Sequence, residues 1–118
     1  MKAQVRSVST NDGEALDDVV LEDPDDVDVW ITVMAGPVSE PGEESFQLRV
    51  RSPASLAKEL YQWGPLHERH MVVVARWDPH QIRSFIDRFF TEVEGRDWHE
   101  VGEKLSRLGY WEFEDDRP

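Results

Sequence analysis

From Val27 to Met34 the chain alternates without interruption, with Val27, Val29, Ile31 and Val33 on one side and Asp28, Trp30, Thr32 and Met34 on the other. Successive side chains of an extended strand point to opposite faces, so this run predicts a β-strand with one face in a core. A second alternation sets Phe46, Leu48 and Val50 against Gln47, Arg49 and Arg51. Gly36-Pro37 ends the first run and Glu40-Pro41-Gly42-Glu43 turns the chain, which predicts an antiparallel hairpin with a long acidic tip. Two strands with one apolar face are not stable alone in water. The remainder of the chain must therefore cover that face.

The remaining segments supply the cover. Gln4 to Val8 reads as a short strand before the turn formers Ser9-Thr10-Asn11-Asp12-Gly13. Val19-Val20-Leu21, set among acids, reads as loop with a helical turn. Ser52-Pro53 is a helix start, since Ser caps orphan amides and Pro needs no N–H in the first turn; Leu56, Leu60 and Trp63 form its apolar side and Gly64-Pro65 stops it. Met71-Val72-Val73-Val74-Ala75 is apolar on both faces and predicts a central strand. Asp78-Pro79 opens a second helix, with Gln81 placed for a capping box. Ile82, Phe85, Ile86, Phe89, Phe90 and Val93 then recur at helical spacing, a broad stripe expected to pack on the sheet face containing Val73. A third helix is capped by Asp97 with Glu100 and carries Trp98, Val101, Leu105 and Leu108 before Gly109. Tyr110 to Glu114 alternates aromatic with acid, a short closing strand before Asp115 and Asp116 reach solvent. These elements predict an α+β fold: an antiparallel sheet of about four strands with about three helices packed mainly on one face, in a single domain over residues 1–118.

Charge is segregated along this chain. Twelve of its 25 acids lie between Ser7 and Leu48 without one Lys or Arg, and the other thirteen are balanced by thirteen bases, so the formal charge of −12 belongs to the N-terminal part. Such a surface repels a phosphate backbone, which argues against direct nucleic-acid binding, and it attracts basic proteins. No apolar run approaches the length of a membrane span, and Met1 to Arg6 lacks an apolar signal region, which predicts a cytoplasmic protein without membrane contact. The absence of cysteine excludes disulfides and thiolate metal sites.

Catalytic chemistry is not written in the sequence. His67 and His70 stand three apart ahead of a strand with no third ligand in view, and read as solvated or capping residues; His80 and His99 fall in first turns of helices, on the surface. There is no nucleophile elbow and no phosphate-cradling glycine loop, so neither catalytic residues nor a cofactor or metal site is expected. The candidate function is binding. The candidate residues are Asp23, Asp25, Asp26, Asp28, Trp30, Glu40, Glu43 and Glu44, with no cation inside the stretch to neutralise the acids. Trp30 lies opposite the valines of its strand: it is either an exposed interface anchor or a residue buried under a helix on the second face of the sheet, and Phe46 and Trp111 are further apolar candidates.

Glu22-Asp23-Pro24-Asp25, then Gly42-Glu43-Glu44-Ser45-Phe46, then Trp98 to Arg107, and finally Trp111-Glu112-Phe113-Glu114-Asp115 together resemble the eighth immunity-protein family of bacterial polymorphic toxin systems. The resemblance spans nearly the whole chain and is strongest in the C-terminal block. It implies a small α+β protein encoded beside a secreted toxin, whose partner is that cognate toxin. It carries over no toxin-contacting residue. If the toxin is a nuclease, its basic groove complements a carboxylate-rich surface. The competing function is an acidic adaptor or nucleic-acid mimic that regulates a host nucleic-acid-binding protein. The free protein is expected to be a monomer or a weak homodimer.

Overall fold

The computed structural model describes residues 1–114; Asp115 and Asp116 lie outside them. Strands β1 (Ala3–Thr10), β2 (Asp28–Pro37) and β3 (Glu44–Arg51) form an antiparallel meander. On the free side of β3, the short β4 (Met71–Val73) pairs in parallel at Arg49 to Arg51, and β5 (Tyr110–Trp111) pairs antiparallel at Phe46 and Gln47. Helix α1 (Pro53–Trp63) connects β3 to β4; α2 (Pro79–Glu92) and α3 (Trp98–Leu105) follow. The α+β reading therefore holds, with one parallel pair added.

The alternation of the hairpin is realised residue by residue. Val33 pairs with Phe46, Ile31 with Leu48 and Val29 with Val50. Ile31, Val33, Phe46, Leu48 and Val50 are buried together with Ile86 and Phe90 of α2 and Val101 and Leu105 of α3. Phe90 meets Phe46 edge-on at 5.4 Å between ring centroids, and Trp111 stacks on the same ring at 6.3 Å. The hairpin tip folds back so closely that a side chain at Gly36 would overlap the carbonyl oxygen of Gly42. Both expected caps form: Asp78 accepts from the Gln81 N–H at 3.1 Å, and Asp97 from the Glu100 N–H at 2.9 Å.

Five expectations are corrected. The apolar run from Met71 is not a central strand: β4 has three residues and lies at the edge, where Val72 and Val74 reach the core and Val73 is 54% exposed. Consequently α2 does not pack on the Val73 face. It covers the β1 side of the sheet through Ile82, Ile86 and Phe90, with Phe89 half-buried and Phe85 at the margin. The α1 stripe is also not a core stripe, since Leu60 and Trp63 are exposed and only Ser55 is buried. That helix is held by polar contacts instead: the buried Arg51 donates to Ser55 Oγ and to the Ser55 carbonyl, both at 3.1 Å, and pairs with Glu59 at 2.5 Å. Ser52 sits at the N-cap position, but its hydroxyl donates to the Asp25 carbonyl at 2.7 Å and accepts from the Val27 N–H at 2.8 Å, tying down the acidic loop rather than capping. Finally, His70 is buried, its ring Nε2 2.5 Å from the Ser106 carbonyl oxygen and its backbone at φ 60° just before β4. His67, His80 and His99 are exposed as expected.

Candidate functional site

One sheet face is covered by α2 and α3. Parity places Ser7, Ser9, Trp30, Thr32, Met34, Gln47 and Arg49 on the opposite face, where Ser7, Trp30 and Gln47 are exposed. Trp30 is therefore not buried under a helix; it is 37% exposed on the outward face. Its cross-strand partner is Arg49, whose guanidinium lies 5.6 Å from the centroid of the Trp30 ring, a cation–π contact that fixes the indole.

Arg49 is itself fixed. It donates to both carboxylate oxygens of Asp28, at 2.6 and 2.7 Å, and reaches Glu68 at 3.1 Å. Those hydrogen bonds hold the Asp28 carboxyl below the usual carboxylate range, and the charges of Arg49 and Arg51 act in the same direction against the opposing push of partial burial. The same bonds raise the Arg49 guanidinium above its ordinary value. One oxygen of Glu68, Oε1, is buried and has no hydrogen-bond partner among the described residues. No cation lies inside the acidic stretch, yet two of its acids are neutralised: Asp28 by Arg49 and Arg51, and Asp26 by Lys58 of α1. These cations come from outside the stretch, delivered by β3 and α1, so a count within the stretch could not find them.

The eight candidate residues divide into two groups. Asp23, Asp25, Asp26, Asp28 and Trp30 gather where β2 begins; Asp23 accepts from the Asp25 N–H at 3.0 Å, and the loop is pinned from beneath by Trp77, which donates to the Pro24 and Val19 carbonyls at 2.7 and 3.1 Å. Glu40, Glu43 and Glu44 lie at the hairpin tip. The ladder between the groups runs from Asp28 paired with Arg51 to Ala35 paired with Glu44. Seven residues at roughly 3.3 Å each separate them by about 23 Å. They are not one patch. Glu44 is also engaged internally, its Oε1 accepting the indole N–H of Trp98 at 2.7 Å and of Trp111 at 2.8 Å.

The sequence reading missed residues that the fold brings to the first group. The Asn11 N–H donates to the Trp30 carbonyl at 3.1 Å, which brings the turn after β1 to Trp30; Asp12, Glu14, Val20, Asp28 and Trp30 line a shallow concavity there. Arg49 was visible as an outward residue of its strand, but its place against Trp30 depends on hairpin register. Among the described residues no three His, Asp or Glu side chains come together as metal ligands. No helix is long and apolar enough to cross a membrane.

The outward face thus carries an exposed tryptophan with a cation against its ring and three acids, Asp12, Glu14 and Asp28, lining the same concavity. In comparison with known families, the model of immunity protein 8 matches residues 3–116. The chain belongs to the immunity protein 8 family. That family is one of immunity proteins of toxin systems, which are generally not enzymes. No curated protein and no solved structure gave a match. Within this immunity protein 8 chain, the matched span takes in both acidic groups, the outward sheet face and the C-terminal Trp-Glu-Phe segment.

Proposed function

We propose that this protein binds a cognate toxin domain and neutralises it through the acidic end of the outward sheet face. The observation that carries the reading is Trp30, exposed and clamped by Arg49 among Asp12, Glu14 and Asp28. Asp23, Asp25 and Asp26 add steering charge beside it, and Asp28 holds Arg49 under the ring. Glu40 and Glu43 extend the negative field at the far end of the hairpin, while Glu44 serves chiefly as an internal acceptor. Exposed carboxylates are screened over a Debye length of about 8 Å at physiological salt, so they accelerate encounter more than they hold a complex. A desolvated anchor must supply the affinity. A nuclease toxin, with a basic phosphate-binding groove, is the partner such a surface suits best.

The test is co-expression with the open reading frame adjacent to this gene, scored by survival, followed by binding kinetics on the purified pair. Rescue by the parent protein is expected, and Trp30→Ala should weaken binding by about 2 kcal/mol through faster dissociation while melting changes little. Charge reversal of Asp23, Asp25 and Asp26 should slow association and flatten its salt dependence. Absence of rescue and of binding would remove the toxin reading in favour of an acidic adaptor.

A further inference from the structure

The sheet ends at β4 on a backbone edge that no strand among the described residues pairs with. Arg49 N–H donates to the His70 carbonyl at 2.9 Å and Val74 N–H to the Arg51 carbonyl at 2.8 Å. Residues that bond a parallel neighbour alternate along a strand, so His70, Val72 and Val74 face β3 while Met71 and Val73 turn their N–H and C=O groups outward. Neither Met71 nor Val73 finds a backbone partner among the described residues. Beside this edge runs a groove of about 780 Å³, with the buried Ile82 and Leu108 in its lining and Phe85 and Arg88 of α2 on its far side. On the α2 side of the edge Phe85 is 36% exposed, and on the opposite sheet face Val73 is 54% exposed, so apolar surface stands open on both faces of the β4 edge. No acid lines the groove, and Arg88 has no carboxylate partner among the described residues, on a chain of formal charge −12.

We propose that this groove receives an extended strand of the cognate toxin, paired to the free edge of β4, with alternate apolar side chains against Phe85 on the α2 face and Val73 on the other, and a carboxylate opposite Arg88. Only another extended backbone satisfies outward N–H and C=O groups in register, and side-chain pockets beside the edge then select the sequence that binds. A second copy of this chain is a poor occupant, because each copy brings a formal charge of −12. The edge is also continuous with the toxin-binding face: Met71 is the register partner of Arg49, which is that of Trp30. With strands about 4.8 Å apart, an added strand lies about 14 Å from Trp30, within the footprint of one protein interface. The inference rests on the toxin-binding reading and adds the site of backbone contact to it.

Hydrogen exchange on the complex with the toxin encoded by the adjacent open reading frame tests it directly. The Met71 and Val73 amides should exchange at least tenfold more slowly in the complex than in the free protein. Val73→Pro removes an outward N–H without removing a bond to β3, and a proline is tolerated at such an edge position, so it should leave melting close to parent and speed dissociation about tenfold or more. Arg88→Glu, on the solvent side of α2, provides a second variant that does not touch the strand and should also speed dissociation. A toxin that is bound and neutralised while both amides exchange as in the free protein would overturn the strand pairing and leave the immunity reading standing. Protection of those amides in the free protein at high concentration would assign the edge to a second copy, and failure to bind any toxin would remove both inferences.

Discussion

Replacing Glu44 tests whether this carboxylate is a fold element or a contact for the partner. One oxygen, Oε1, accepts two indole N–H groups, from Trp98 of α3 at 2.7 Å and from Trp111 of β5 at 2.8 Å, so a single atom at the start of β3 joins three elements. A hydrogen bond to a charged acceptor contributes about 1.5 to 3 kcal/mol, and Glu44 is half-buried, which places each bond near the lower end. Glu44→Ala therefore should cost about 3 kcal/mol, since it also leaves two indole donors to find water in partly buried positions. For a chain of this length about 4 °C of melting temperature corresponds to each kcal/mol, giving a fall of about 12 °C. Glu44→Gln keeps an acceptor oxygen in place and should lose about 1 kcal/mol, or about 4 °C. Differential scanning calorimetry reads the midpoints, and tryptophan fluorescence reports the loosening of the two indoles. A melting temperature for Glu44→Ala within about 2 °C of parent would refute the reasoning. Because Glu44→Gln preserves the fold and removes the charge, an unchanged toxin association rate for it would confirm that the carboxylate acts inside the protein.

Phe90→Ala should cost about 3 to 5 kcal/mol by calorimetry, because the ring is fully buried edge-on against Phe46, whereas Phe85→Ala at the margin should cost under about 1 kcal/mol; equal losses would mean that α2 is wrongly rotated in this account. Asp28 has a folded pKa below its unfolded value of about 3.9, so its stabilisation is present above that value and is lost as pH falls through the folded one. The melting difference between parent and Asp28→Asn should therefore hold steady from about pH 5 to about pH 8 and close below about pH 4; a difference undiminished in acid would assign it to packing.

Periodicity reached those elements whose burial follows from local pattern. The hairpin, α2 and α3 with their aspartate caps, and the strand at Tyr110 are where the alternations and stripes placed them, because each must bury one face and the pattern records which. It failed where burial is decided by neighbours distant in sequence. Met71 to Ala75 is apolar enough for a central strand, yet the free side of β3 is shared with β5 and only three residues pair. Leu60 and Trp63 lie on one side of α1, yet Arg51 anchors that helix and leaves them in solvent. The candidate surface was legible in part for the same reason. Trp30 was identifiable from alternation alone, while Arg49 comes to it by β-pairing across 19 residues and Asp12 and Glu14 by the turn that Asn11 ties to the Trp30 carbonyl.

The placement of the acids now separates charge that serves the fold from charge that does not. Asp28 and Asp26 are paired with cations, Glu44 accepts two indoles and Asp23 accepts a backbone amide. The side chains of Asp12, Glu14, Asp17, Asp18, Glu22, Asp25, Glu40 and Glu43 have no hydrogen bond or ion pair among the described residues, and all eight are exposed. Their mutual repulsion opposes the folded state, and salt screens it, from a Debye length of about 30 Å at 0.01 M to about 10 Å at 0.1 M. Added salt should therefore raise the melting temperature of the free protein. The same screening should slow encounter with a basic partner, so the association rate should fall over the same range. The two responses have opposite signs because they arise from the same unpaired carboxylates. Converting Asp17, Asp18 and Glu22 to their amides should flatten both together, measured by calorimetry and by stopped-flow mixing across a salt series. If the amide variant lost the salt dependence of melting but kept that of association, the steering charge would lie elsewhere on the protein, with Asp12, Glu14 and Asp25 beside Trp30 and Glu40 and Glu43 at the hairpin tip as the remaining unpaired acids.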